Sequence, residues 1–226
     1  MKHVLIFAIG LFLIGSGSCK KKDDTPTALV NVRIVHGIPD GGSLEVRLNN
    51  KLVGSIGSYA LTTPYTSTVA GTVTVQVRKS GTTTDIVNAN FNAATGNYYS
   101  FVIADSLSKL KSSVVLEDPT PATGKAKINI LHLGNLVNTA SFTTSTGTVL
   151  STSRIFNDHQ ATPTNAAYIN TDPGSITIEA RTPGTSGSVG ILSTTTQTLT
   201  AGKSYTFVYR NPVAPSIIPS FTFIAN

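Results

Sequence analysis

The sequence predicts an all-β chain built as two tandem β-sandwich domains, and three observations carry that prediction. The 226 residues are poor in charge, at 12%, and rich in Val, Ile, Thr, Ser, Gly and Asn, which suit half-buried pleated strands and tight turns. Three segments recur in the same order in the second half of the chain. Within the first two of those segments apolar and polar residues alternate, the period of a strand with one buried face.

The elements follow in chain order. Lys2 precedes an apolar or small run from Val4 to Gly15, and Ser16-Gly17-Ser18 leads into Cys19. As a helix that run would span roughly 18 Å, too short for a hydrocarbon core of about 30 Å. Residues 1–18 therefore read as a cleaved signal peptide. Cys19 is the one cysteine, so no internal disulfide forms, and its place at the cleavage point resembles the acylated cysteine of bacterial lipoproteins. The pattern departs from those proteins at Ser16, where Leu is usual, and an ordinary signal cut after the small residues Ser16 and Ser18 is the alternative. Lys20-Lys21-Lys22-Asp23-Asp24 resembles the surface-export signal of Bacteroidota lipoproteins; its other reading is a charged spacer. With Thr25-Pro26-Thr27 it completes a lipid-attachment and linker segment, 19–27.

The first domain is expected over 28–118. Val30 to His36 opens it as a strand, and Leu44 to Leu48 with Lys51 to Val53 makes a hairpin about Asn49-Asn50, because Asn tolerates the positive φ of tight turns. Gly71 to Arg78 alternates Val73, Val75 and Val77 with polar residues, and Ile86 to Phe91, Tyr98 to Ala104 and Ser112 to Leu116 are further strands. Two prolines and a glycine mark a semi-rigid linker, 119–125, before the second domain, 126–226. There Ala126 to His132 repeats the first strand, Gly174 to Arg181 repeats Gly71 to Arg78, and Gly202 to Tyr209 repeats Gly96 to Ile103; Tyr65 and Tyr168 also correspond. The separation between copies widens along the chain, so the second carries loop insertions, chiefly Ser153 to Asn165. About seven short strands per copy fit a sandwich.

Val32-Arg33-Ile34-Val35-His36-Gly37-Ile38-Pro39-Asp40, then Tyr65, Ala70-Gly71 and Gly96-x-x-Tyr99-Ser100-Phe101, resemble the bacterial family catalogued as domain of unknown function 4397. The likeness covers nearly all of copy one and, more loosely, copy two, where His132-Leu133-Gly134-Asn135-Leu136 lacks the Pro-Asp pair. It implies immunoglobulin-like sandwiches, often in tandem on exported proteins, and no established activity.

The formal charge of +6 is partly a matter of Lys2 and Lys20 to Lys22, and the remaining basic residues are scattered. A nucleic-acid surface needs a basic patch with interleaved aromatics, so no nucleic-acid partner is expected. His36 and His132 close equivalent strands, but neither copy offers a second nearby ligand, so no metal is expected and both read as structural, bonded to loop backbone. Asp158-His159 reads as a solvated loop pair. No Gly-x-Ser-x-Gly elbow stands in the mature chain, and no serine sits where sequence pairs it with a histidine. Glu45, Glu117 and Glu179 are the only glutamates, Glu45 and Glu179 on outward strand faces. Tyr99 and Tyr205, each three residues after a glycine, resemble the tyrosine corner of Greek-key sandwiches. No phosphate loop, dinucleotide fingerprint, zinc-protease helix or calcium loop stands in the sequence, so no cofactor or catalytic residue is named. The expectation is a non-catalytic lipoprotein of the outer membrane, lipid-attached at Cys19 and facing the cell surface, that binds a glycan or an envelope protein or acts as a spacer. The alternatives are a periplasmic or secreted position, an envelope hydrolase acting on polysaccharide or peptide, and a self-assembling surface protein.

Overall fold

The computed structural model describes residues 27–59, 62–120, 122–212, 216 and 218–225; the leader, Cys19 and the charged segment lie outside them. The first half forms β1 (Leu29–Gly37), β2 (Leu44–Leu48), β3 (Lys51–Ile56), β4 (Thr66–Val69), β5 (Gly71–Lys79), β6 (Asp85–Ala93), β7 (Tyr98–Ala104) and β8 (Lys111–Glu117). The second forms β9 (Ala126–Leu133), β10 (Thr139–Thr144), β11 (Val149–Ile155), β12 (Ile169–Thr171), β13 (Gly174–Arg181), β14 (Ile191–Leu199), β15 (Ser204–Arg210) and β16 (Ser220–Ala225). The described residues contain no α-helix, only short 3₁₀ turns. Asn49 and Asn50 take φ of 49° and 66°, as the hairpin between β2 and β3 requires.

Each half is a sandwich of two four-stranded sheets with the same strand order, β4-β1-β7-β8 over β3-β2-β5-β6 in copy one and β12-β9-β15-β16 over β11-β10-β13-β14 in copy two. In both copies the first strand runs parallel to the seventh, β1 with β7 and β9 with β15. The core of copy one joins Val32, Ile34 and Phe101 to Val46, Val73 and Val75. The core of copy two joins Ile128, Phe207 and Tyr209 to Phe142 and Ile178.

A third core lies between the copies. Val35, Val102, Ala104 and Val115 of copy one pack against Leu131, Leu133, Val208 and Ile224 of copy two. Sheets β4-β1-β7-β8 and β12-β9-β15-β16 are therefore each covered on both faces, and the two sandwiches stack as four layers. Gly37 sits at the seam, where a Cβ would stand 2.7 Å from the Ile103 carbonyl oxygen of its own sheet and 3.1 Å from Leu133 Cδ1 of copy two. The linker side of the seam is tied by Lys127 Nζ to Asp118, 2.5 Å, and by Ser204 Oγ donating to the Pro119 carbonyl, 3.0 Å.

Candidate functional site

The seam holds a buried polar cluster. The Arg33 and Glu117 side chains, on the seam faces of β1 and β8, are 2% and 0% exposed and pair at 2.9 Å. The Glu117 carboxylate also accepts the Ser100 hydroxyl at 2.5 Å and the Tyr168 hydroxyl of copy two. Arg33 Nε donates to Ser100 Oγ at 2.6 Å, Nη2 reaches Thr206 Oγ1 at 3.2 Å, and the guanidinium lies 4.9 Å from the centre of the Tyr65 ring. Tyr65 and Tyr168, matched in the repeat, thus both meet this ion pair, Tyr65 at Arg33 and Tyr168 at Glu117. Burial, and then the Glu117 charge, push the Tyr168 hydroxyl well above its ordinary range, so it stays a donor. Copy two has Asn129 where copy one has Arg33, fully buried and donating to the Ala166 carbonyl at 3.3 Å, so the charged pair occurs once.

Next to it the insertion of copy two folds down onto β8. Asp158 takes a two-point bond from Arg154, 2.5 Å from Nε and 2.7 Å from Nη2, and a third from Asn165, 2.9 Å. Asn157 N–H donates to the His132 carbonyl at 2.7 Å, fixing the insertion to β9. His159 Nε2 lies 2.7 Å from Ser113 Oγ on β8, and Gln160 Nε2 donates to the Ser112 carbonyl at 3.2 Å. Asp158 and His159 are therefore buried, at 8% and 2% exposure, not a solvated pair. No sequence rule signals this: Arg154 lies near the end of β11, Asp158 opens the 3₁₀ turn after it, and Asn157, at φ of 56°, lies between them.

Ser113 and His159 form a serine–histidine contact that no sequence spacing reveals, with the partners 46 residues apart. A nucleophile needs more. In the catalytic arrangement the second ring nitrogen is bonded to an orienting carboxylate, whereas His159 Nδ1 has no hydrogen-bond partner. The Ser113 hydroxyl also points to Asn157 Oδ1 at 3.3 Å, and burial lowers the His159 pKa to about 4. Ser113 itself is 6% exposed.

The equivalent histidines differ. His36 Nε2 bonds the Gly42 carbonyl at 2.8 Å while Nδ1 accepts the Ile38 amide at 3.2 Å, so its ring braces the loop after β1, as expected. His132 has no hydrogen-bond partner on either nitrogen and packs edge-on against Phe142 and Tyr209, with centroids at 5.9 and 5.1 Å. Burial lowers its pKa to about 4. Tyr99 and Tyr205 do act as corners: their hydroxyls accept the Ala94 amide at 3.2 Å and the Thr200 amide at 2.9 Å. Glu45 and Glu179 pair with Arg78 and Arg181 on the outer sheets, each at 2.5 Å.

Where the insertion meets β8 a groove of about 670 Å³ opens. Val114, Leu116 and Asp118 form one wall, and Pro163, Thr164 and Ala167 line the side built by the insertion. Glu117, Tyr168 and His159 also border it, and all three already hold partners in the seam. Among the described residues no group of three or more His, Cys, Asp or Glu side chains is placed to hold a metal ion.

Residues 30–139 match the family described as Domain of unknown function (DUF4397). The matched segment runs through copy one, crosses the linker and takes in β9 of copy two. DUF4397 carries no assigned activity in its description, and no curated protein matches the chain. Solved structures similar to it include the Bacillus anthracis TIE protein, at 12% identity and a TM-score of 0.24, over 86% of this chain and 34% of that one. The chain thus spans about a third of that protein's length.

Proposed function

We propose that this chain is a non-catalytic module of the cell envelope, tethered by acyl groups on Cys19, that binds a glycan or an envelope protein at the groove between its sandwiches. The observation that carries the reading is the groove itself: both copies build it, and the ionisable groups beside it are engaged with one another. Glu117 already accepts from Arg33, Ser100 and Tyr168 and is paired with the Arg33 charge, which holds it as a bonded carboxylate rather than a free acid or base. The apolar leader, the lone cysteine and the charged segment after it support the tether and an outward-facing position.

The test is a binding screen of the mature chain against glycan and envelope-protein arrays, repeated with Ala167→Arg, which places a long charged side chain at an exposed position of the groove wall. A specific ligand lost in the variant is expected; an empty screen, or binding indifferent to Ala167, contradicts the reading.

The Ser113–His159 contact favours a second reading, a serine hydrolase of the envelope. It is tested by treating the native protein with a fluorophosphonate probe. No adduct on Ser113 is expected, because the hydroxyl is buried and the imidazole lacks an orienting partner. Labelling that disappears in Ser113→Ala would establish the hydrolase.

A further inference from the structure

β8 is the outer strand of its sheet, and its hydrogen-bonding direction can be read residue by residue. Asn31 N–H donates to the Asn97 carbonyl, so residues of that parity in β7 turn their backbone toward β1. Tyr98, Ser100 and Val102 then face β8, opposite Glu117, Val115 and Ser113. In an antiparallel ladder the N–H and C=O of one residue point the same way, and alternate residues point opposite ways. Ser112, Val114 and Leu116 therefore present both groups to the free edge. Gln160 agrees with this assignment, since its side-chain amide takes the outward carbonyl of Ser112.

Beyond Gln160 that edge is open. Among the described residues no turn or loop backbone and no side chain bonds the main-chain groups of Val114 or Leu116. The groove lies along this stretch and is lined by the whole run from Val114 to Asp118, the outward-facing Val114 and Leu116 among them. Leu116 is 58% exposed there.

We propose that the groove takes an extended polypeptide segment of a partner protein, added along β8 as a fifth strand of the sheet. This rests on the reading of the chain as a binding module and names the partner's chemistry. Outward N–H and C=O pairs recur every second residue, at roughly 6.6 Å, a spacing that another β backbone matches donor to acceptor and a sugar chain does not. The walls select the side chains. Leu116, Pro163 and Ala167 are apolar, Asp118 is held by Lys127, and Glu117 by Arg33, so the occupant is uncharged, with small or β-branched residues facing the insertion.

The experiment uses the isotopically labelled mature chain with two probes: a capped peptide of alternating threonine and valine flanked by lysines, and a random peptide display library. Bound peptide slows amide exchange at Val114 and Leu116 by about tenfold or more, while Val115, already in the ladder, is unchanged. Leu116→Pro removes one outward donor and no ladder bond, a position where an edge strand tolerates proline, so the fold persists and peptide affinity drops about tenfold or more. Should that variant fail to fold, the probe peptide methylated on alternate backbone nitrogens serves instead and must not bind. No peptide binding from either probe, binding that survives in folded Leu116→Pro, or bound peptide that leaves both amides unprotected overturns the proposal. So does protection that arises from a concentration-dependent dimer, which would make a second copy the occupant. A non-peptide ligand blocked by Ala167→Arg would sink this inference and leave the binding-module reading standing, whereas a chain that no ligand class engages would sink both.

Discussion

Glu117→Leu alone is expected to cost about 3 to 5 kcal/mol, because it strands the Arg33 guanidinium in the seam without its counter-charge. For a chain of this length that is a fall in Tm of about 10 °C. Arg33→Met should cost a similar amount by leaving the carboxylate with only the Ser100 and Tyr168 hydroxyls. The double variant Arg33→Met/Glu117→Leu replaces the pair with apolar groups of similar length and should recover to within about 1 kcal/mol of the native protein. Both charges are buried in the seam beside the third core, so recovery would show that the pair adds little net stability over apolar packing there. The check is a double-mutant cycle by urea denaturation. Single variants costing under about 1 kcal/mol would mean that the pair is solvated and the seam open.

The second large effect is acid sensitivity through His132 and His159. Both are buried neutral, with pKa values lowered from 6.5 to about 4. Between those values the unfolded chain binds protons that the folded chain refuses, so stability falls as pH drops through 6.5 and levels off below about 4. Each histidine accounts for a loss of about 3 kcal/mol at the bottom of that window and none above pH 7.5. Carboxylates titrate in the same range, so the histidine share is isolated by His132→Phe, which keeps an aromatic ring against Phe142 and Tyr209. Denaturation midpoints at pH 7.5, 5.5 and 4.5 should converge in that variant relative to the native chain. An unchanged pH slope would contradict the neutral, buried assignment.

Much of the architecture was legible because the repeat marks the strands twice. Alternation marks β1 and β5, a run of aromatic and β-branched residues after Gly96 marks β7, and each recurs in its copy, β9, β13 and β15. β4 and β12 escaped because Thr66–Val69 and Ile169–Thr171 are short edge strands with few buried side chains to leave a pattern. β10 and β11 escaped because Phe142 is the one large apolar residue that β10 places in the core, and β11 is paired through two register shifts that break its alternation.

The seam left a trace that a two-sandwich reading passes over. A strand with one face in water alternates, as Val73, Val75 and Val77 do in β5. β7 and β15 are instead buried at nearly every position, the pattern of a sheet covered on both faces. Arg33 and Glu117, one in the apolar run of β1 and the other closing β8, are 84 residues apart, and nothing local in either segment names the other as its partner. The groove was harder still, since it joins an insertion of one copy to an edge strand of the other. The insertion is visible in the sequence by its length; its position against β8 is a property of the packed stack alone.

The measurement that bears most directly on a tethered envelope module is the mass of the mature protein from its native membrane, taken together with protease shaving of intact cells. The account predicts an N-terminus at Cys19 carrying acyl chains, and loss of both sandwiches on shaving. An unmodified N-terminus, cut after Ser18 with no lipid, would contradict it.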